Sequence, residues 1–433
     1  MRTRGRNHAS RLRRRRPQSV RNRIVKNLSS PCVSLRTCRP VTTGVRSGIF
    51  RLWEDKRMEP IVFNRPENTP TLADVLPNCV AAMQGESGSL GLPAVRGVVV
   101  VLVDGLGESL LRTRGGHARF TVRGWQPEEI AVSFPSTTVA GITSLMTGAA
   151  AGAHGLVGYS IWDRRNGEYR NQLSGWGDGM DPATWQLRST VFESLVAERA
   201  PISPVVVSTE DYRNSGLTQA ALRGGAYHGA ETMVERAELA AQLCRKLKRP
   251  LVYLYHAELD QAGHKHGSES GTWLEKLEEL DYSVAQLLDQ LPEDIGVLIT
   301  ADHGMIDIPH ADQIDFTPPL LDGVVAIAGE PRLRHIYLED GVEANALAQR
   351  YRDAEGERAW IFTRDELVAT GLYGAEVAAP AFERLGDIVV AARDCVTYFG
   401  PEMPASMRLM VGQHGSLTNE ETIVPLIRHG AFR

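Results

Sequence analysis

Cysteine is scarce in this sequence. Cys32, Cys38, Cys79, Cys244 and Cys395 are scattered through 433 residues and form no CxxC pair. That usage argues against a disulfide framework and fits a reducing compartment, so a cytoplasmic location is expected. Long apolar runs are missing too. No stretch of about 15–20 apolar residues occurs, so neither a secretory signal nor a membrane span is expected. Bulk charge is nearly balanced at −4 and hydrophobic residues make up 42%, so composition points to no special partner. Internal repeats are absent. What remains is a chain long enough for one large α/β domain with insertions, or for two domains.

Charge is concentrated at one end. Residues 1–57 hold 17 of the 48 lysines and arginines but only Glu54 and Asp55 among the 52 acids, leaving 31 bases against 50 acids, a net of −19, for the rest. The segment lacks apolar periodicity and is expected to be disordered. Its RLRRRR run could bind nucleic acid or another anionic surface, and an Arg-rich, acid-poor start could be a targeting peptide. The preferred reading is an upstream extension from a mis-assigned start. Met58 would then begin the working protein, because folded-looking sequence starts just after it.

From Val98 onward, strand-like and helix-like blocks alternate. VVVVLVD (98–104), PVVVST (204–209), PLVYLYH (250–256) and GVLITAD (296–302) are apolar and mostly β-branched, the mark of strands buried on both faces. Met233–Leu247 and Thr272–Leu291 carry apolar residues at helical spacing. The alternation predicts an α/β fold with a mostly parallel central sheet and helices on both faces. Two stretches break the rhythm and are expected to be insertions in a 58–433 catalytic domain. Residues 155–200, rich in Trp, Gly, Arg and Asn, read as a long loop or small cap. Residues 333–408 read as a compact α+β insertion.

The buried strands end in acids and histidines. Asp104 closes the first run, and Asp302 and His303 close the fourth. PLVYLYH leads into ELDQAGHKHG, which sets Asp260 and His264 four apart, and VGQHG supplies His414. Ligands of open α/β sheets bind beyond the carboxyl ends of the strands, so these residues could converge in one crevice. Three Asp and three His suffice for two divalent metals, with Zn²⁺ the best match to such donors and Mn²⁺ next. The segment SFPSTTVAGITSLMTG (133–148) passes from a strand end into a helix. A helix start offers free N–H groups to a phosphate, and Thr137 or Thr138 is either an N-cap or a nucleophile. His154, His256, His266 and His310 are expected to be structural, His266 being the one substitute ligand to watch.

In this order, the motifs resemble those of the alkaline phosphatase superfamily. The nearest branch is the type I phosphodiesterase/nucleotide pyrophosphatases. The motifs are VDG, a threonine at a helix start running to TG, HG, DxxxH, ADHGM and a late HG, from Val98 to Gly415. The resemblance implies an alkaline phosphatase-like fold and two metal sites. Asp104, Asp302 and His303 would hold one metal together with the nucleophile, and Asp260, His264 and His414 the other. The nucleophile of that branch stands about ten residues before the glycine closing its helix motif, which from Gly148 gives Thr138. Where the branch has an asparagine that binds a phosphoryl oxygen, this chain has Tyr159, either a phenol that can also donate or an aromatic wall or core residue.

The function expected is therefore hydrolysis of a small-molecule phosphodiester or nucleotide pyrophosphate through a phospho-threonine. A phosphomonoesterase or phosphonate hydrolase would use the same ligands. A metal-stabilised protein binding nucleic acid through the basic tail is the non-enzymatic alternative. Deleting residues 1–57 should leave both the melting temperature and the turnover of small diesters unchanged. A truncated protein that is insoluble or inactive would show that the segment belongs to the fold.

Overall fold

The computed structural model of the chain describes residues 69–125 and 129–433. The expectations for residues 1–57 and for a start at Met58 lie outside the described residues. Inside them, each apolar run becomes a strand. VVVVLV lies in β1 (Gly97–Val103), and β2 (Ser203–Ser208), β4 (Pro250–His256) and β5 (Ile295–Thr300) match the other three runs. β1, β4 and β5 are buried at every position, so both faces of the sheet are covered. Each fully buried valine or leucine in them contributes roughly 1.5–3 kcal/mol.

With β3 (Ala226–Gly229) and β6 (Ile427–Gly430), these strands form one sheet in the order β6-β5-β1-β4-β2-β3. Its pairs are parallel except for β6 against β5. The helices expected at 233–247 and 272–291 are Met233–Lys246 and Gly271–Gln290, both facing the core with their apolar stripe. Fold class is thus as expected, a mostly parallel sheet clad in helices.

Register decides what meets at the carboxyl edge. Leu102 of β1 pairs with Thr300 of β5 on one side and with Tyr255 of β4 on the other. Asp104 and Asp302 each stand two residues beyond paired positions, so side-chain alternation turns both toward the same face. Helix α1 (Thr138–Thr147) and helix α2 (Glu258–His266) border this edge.

The two irregular stretches have structure of their own. Residues 155–200 contain a hairpin, Ser160–Asp163 with Glu168–Asn171, and short helices. The α+β unit holds a four-stranded antiparallel sheet that includes Leu333–Leu338, Ala359–Thr363 and Ile388–Ala392. One of its two edge strands is Val324–Glu330, so the sheet begins upstream of residue 333. Half-exposed Val324 and Val325 gave that strand no clear buried pattern in the sequence.

The first turn of α1 is seated on β5 through a glycine. A Cβ on Gly141 would lie 2.5 Å from the Asp302 carbonyl oxygen and 2.7 Å from its Cβ. Backbone must therefore move to admit any side chain. Gly141→Ala is expected to cost about 1–3 kcal/mol in denaturant unfolding; unaltered stability would show that α1 is free to shift away from Asp302.

Candidate active site

Six side chains from four segments meet beyond the carboxyl ends of β1, β4 and β5. Asp104 follows β1, and Asp302 and His303 follow β5. All three are buried. His303 Nε2 lies 3.2 Å from Asp104 Oδ1 and 3.9 Å from Asp302 Oδ2. Asp260 and His264 share one face of α2 because four residues make about one helical turn, and Asp260 Oδ1 is 3.3 Å from His264 Nε2. His414 completes this second group, with its Nε2 3.3 Å from His264 Nε2 and 3.9 Å from Asp260 Oδ1. The rings of His303 and His414 stack at 3.6 Å. Donor atoms lie within 4.8 Å of one another in two groups, Asp104, Asp302 and His303, and Asp260, His303 and His414, so His303 is common to both and His264 lies outside them.

His414 reaches the site along a short ladder. Gly412–Gln413 pairs antiparallel with Ile306–Asp307, just after the DHG turn, and Val411 N–H donates to His264 O at 2.8 Å. Gly304 of that turn lies against the Glu420 carbonyl, which a Cβ would meet at 1.9 Å.

The imidazoles are fixed by backbone. Nδ1 of His264 is 2.8 Å from Gly412 O, Nδ1 of His414 is 2.9 Å from Ser136 O, and Nδ1 of His303 is 3.0 Å from Gly304 O. Each Nδ1–H thus donates to a carbonyl and each Nε2 turns inward. Burial, with the His303 charge adding to it, pushes His264 below its ordinary range and His414 well below it. Both rings are neutral there, so two Nε2 lone pairs face each other across 3.3 Å with no proton to share.

The carboxylates carry the same tension. Asp260 Oδ1 and Asp302 Oδ2 are buried without a hydrogen-bond partner, and Asp104 Oδ1 meets only His303 Nε2, at 3.2 Å. Burial, then the neighbouring Asp104 charge, raises Asp260 and Asp302 well above the usual carboxylate range. Burial acts on Asp104 in the same sense, but the hydrogen bond and charge of His303 outweigh it and hold Asp104 low. Burial would lower His303, yet Asp302 and Asp104 push it up to about 10. Orphaned acceptors and opposed lone pairs are what a bound cation relieves. Three imidazoles and three carboxylates suit zinc, then manganese. The residues present fit divalent metal ions.

Thr137 and Thr138 separate cleanly. Thr137 is the N-cap of α1, its side chain accepting from Ala140 N–H at 3.4 Å. Thr138 is the first helical residue, half-buried, with Oγ1 3.1 Å from His303 Nε2. It stands at the positive end of a ten-residue helix. Ser136, just before, binds the late HG loop: its Oγ donates to Ser416 O at 2.7 Å and accepts from Gly415 N–H at 3.2 Å. Tyr159 lines a cavity with Thr138, His264 and His414, and its N–H donates to Glu330 Oε2 at 3.1 Å.

The other histidines stay out. His154 bonds Ser144 Oγ at 2.9 Å and burial holds it neutral, down to about 3. His256 is buried beside Arg236, whereas His266 and His310 are exposed. A cavity of about 500 Å³ near the hairpin contains none of the six clustered residues, and its arginines 164, 165 and 364 pair with Asp387 or Glu383.

Sequence reasoning missed Tyr255. Its hydroxyl donates to Asp104 Oδ2, and the signal was the alternation in PLVYLYH together with the register against β1. Tyr255→Phe removes that donor and is expected to weaken divalent-metal binding by about 10–100-fold. Competition against a chelator measures it, and unchanged affinity would show that Asp104 is oriented by other groups.

Comparison with known proteins supplies a family and a fold. Residues 98–417 match the model of the family type I phosphodiesterase/nucleotide pyrophosphatase. Murine ectonucleotide pyrophosphatase/phosphodiesterase 5 superposes with a TM-score of 0.60 at 16% identity, covering 77% of this chain and 88% of that one. The human form gives 0.58 at 16% identity over the same shares. Phosphonoacetate hydrolase from Sinorhizobium meliloti, in complex with phosphonoformate, gives 0.58 at 19% identity, covering 78% and 91%. At these identities the solved structures speak for the fold.

Proposed function

Because this chain belongs to the type I phosphodiesterase/nucleotide pyrophosphatase family of phosphoric-ester hydrolases, we propose that it hydrolyses small-molecule phosphodiesters or pyrophosphates, with Thr138 as nucleophile and two divalent metal ions, zinc first, as cofactors. The observation that carries the reading is the position of Thr138 Oγ1. It lies at a helix start and beside His303, at the edge of buried acceptors that call for a cation.

In this reading Asp104, Asp302, His303 and Thr138 hold one ion, and Asp260, His264 and His414 the other. Bound divalent ions would supply Lewis acidity, lowering the pKa of a coordinated hydroxyl and neutralising phosphoryl charge. The rest falls to the chain. The first turn of α1 aims its free N–H groups and positive dipole end at an equatorial oxygen, and the Tyr159 phenol can donate to another. Thr138 Oγ attacks phosphorus in line, forming a P–O bond as the ester oxygen departs. Water then cleaves the phospho-threonine and restores the hydroxyl.

A diester, with its single negative charge, suits the site better than a monoester. A dianionic monoester calls for a nearby cation beyond the metals, and no Lys or Arg lines either cavity that contains Thr138. The phosphonate hydrolase alternative keeps the support of one structural neighbour but meets the same lack of cations. Among the described residues no helix is long and apolar enough to cross a membrane. Cys79 and Cys244, each buried with a free thiol, support a cytoplasmic setting.

Thr138→Ala should lower turnover of bis-p-nitrophenyl phosphate by about a thousandfold or more while metal content persists. Thr137→Ala should cost about 1 kcal/mol of stability, as loss of an N-cap does, and little turnover. Equal loss of turnover in both variants would overturn the assignment of Thr138.

A further inference from the structure

Two cavities, not one, open at the nucleophile. The larger holds about 440 Å³ and is walled by Ile142, Tyr212, Leu217, Leu222 and Tyr255. The smaller holds about 260 Å³, walled by Tyr159, Pro331, Met407 and Met410. Thr138 and Asp260 line both, so the cavities meet where phosphorus would react. Leu173 also lines both. It sits in the turn after the hairpin strand Glu168–Asn171, where Asn171 Oδ1 accepts its N–H at 2.9 Å. Its 36% exposure makes it a ridge between the two spaces.

The chemistry of the walls limits what can enter. The acidic side chains that line the cavities are Asp104 and Asp260 of the cluster and Glu330, which burial pushes up to about 8, and no lysine or arginine joins them. In the larger cavity the hydroxyls of Ser208 and Tyr253 are buried and lack a partner. An occupant there finds apolar walls and hydrogen-bonding groups, but no countercharge for an anion. A carboxylate or phosphate on either arm would be desolvated with no cationic side chain to pair with it.

We propose that the enzyme's substrates are phosphodiesters with two uncharged, largely apolar arms, one seated in each cavity and parted by Leu173. The inference rests on the hydrolase reading and deepens it. One anionic phosphate lies at the ligand cluster, the bulkier arm lies against the tyrosines, and the slimmer arm lies against Met407 and Met410. Flexible methionines accommodate arms of varied shape. Further phosphates or carboxylates on the arms are selected against.

Calorimetric titration of the zinc-loaded full chain tests this, with diphenyl, methyl phenyl, phenyl and bis(4-carboxyphenyl) phosphate as probes. Hydrolysis of bis-p-nitrophenyl phosphate is followed in parallel. Diphenyl phosphate should bind at least about tenfold more tightly than each of the other three. Leu222→Lys and Met410→Lys, one in each cavity, should each strengthen binding of the carboxylated probe by about tenfold and weaken that of diphenyl phosphate. If either variant fails to fold, the four probes on the unaltered protein decide. Equal affinity for diphenyl and methyl phenyl phosphate would overturn the second arm site, and equal or better binding of the carboxylated probe would overturn the charge selection. Tight binding of diphenyl phosphate without hydrolysis would sink the hydrolase reading, and with it the claim that such diesters are substrates, while leaving the two arm sites as binding sites.

Discussion

Three carboxylates and three imidazoles face one another at the carboxyl edge of the sheet, and the rest of the site follows from their mutual discomfort. Buried carboxylate oxygens without donors are costly, and so are two imidazole lone pairs held 3.3 Å apart. The chain does not relax this by turning the rings around. Backbone carbonyls of Gly412, Ser136 and Gly304 take every Nδ1–H, so each Nε2 is committed to the interior. The strain persists because the surrounding fold over-determines it, as functional sites commonly do.

That over-determination is built from short, dense connections. The pairing of β1 with β5 and β4 brings Asp104, Asp302 and Tyr255 together before any loop is considered. Seating of α1 on Asp302 through Gly141 then fixes where Thr138 begins its helix. Ser136 fastens the same turn to the His414 loop, and the Gly412–Gln413 ladder fastens that loop to the DHG turn. Thr138 and the six clustered side chains are thus held on mutually braced segments, as the proposed positioning of a phosphoryl group demands. The two cavities begin where this rigid cluster ends. The walls of the larger come mainly from α1, β4 and residues 208–222, and those of the smaller from Tyr159, Pro331, Met407 and Met410.

Legibility in the sequence followed how local each relation is. Asp104 and Asp302 could be read because a fully apolar strand announces its own end. Asp260 and His264 could be read because four residues on a helix share a face. His414 has no such local signal, and its place rested on the resemblance to a family. The choice of Thr138 over Thr137 rested there as well. The N-cap geometry of Thr137 now gives it an independent argument. Tyr255 went unread because its meaning depends on the register of β4 against β1. The strand Val324–Glu330 went unread because its first residues are half-exposed. Leu173 as a ridge depends on tertiary placement of a turn and leaves no trace in residue order.

The central claim is that this cluster exists to hold two cations. Crystals of the full chain grown with zinc, with anomalous data collected on both sides of the zinc absorption edge, test it most directly. The account predicts two anomalous peaks, one among Asp104, Asp302, His303 and Thr138 and the other among Asp260, His264 and His414. A single peak shared by all six ligands, or none in protein that turns over phosphodiesters, would contradict it.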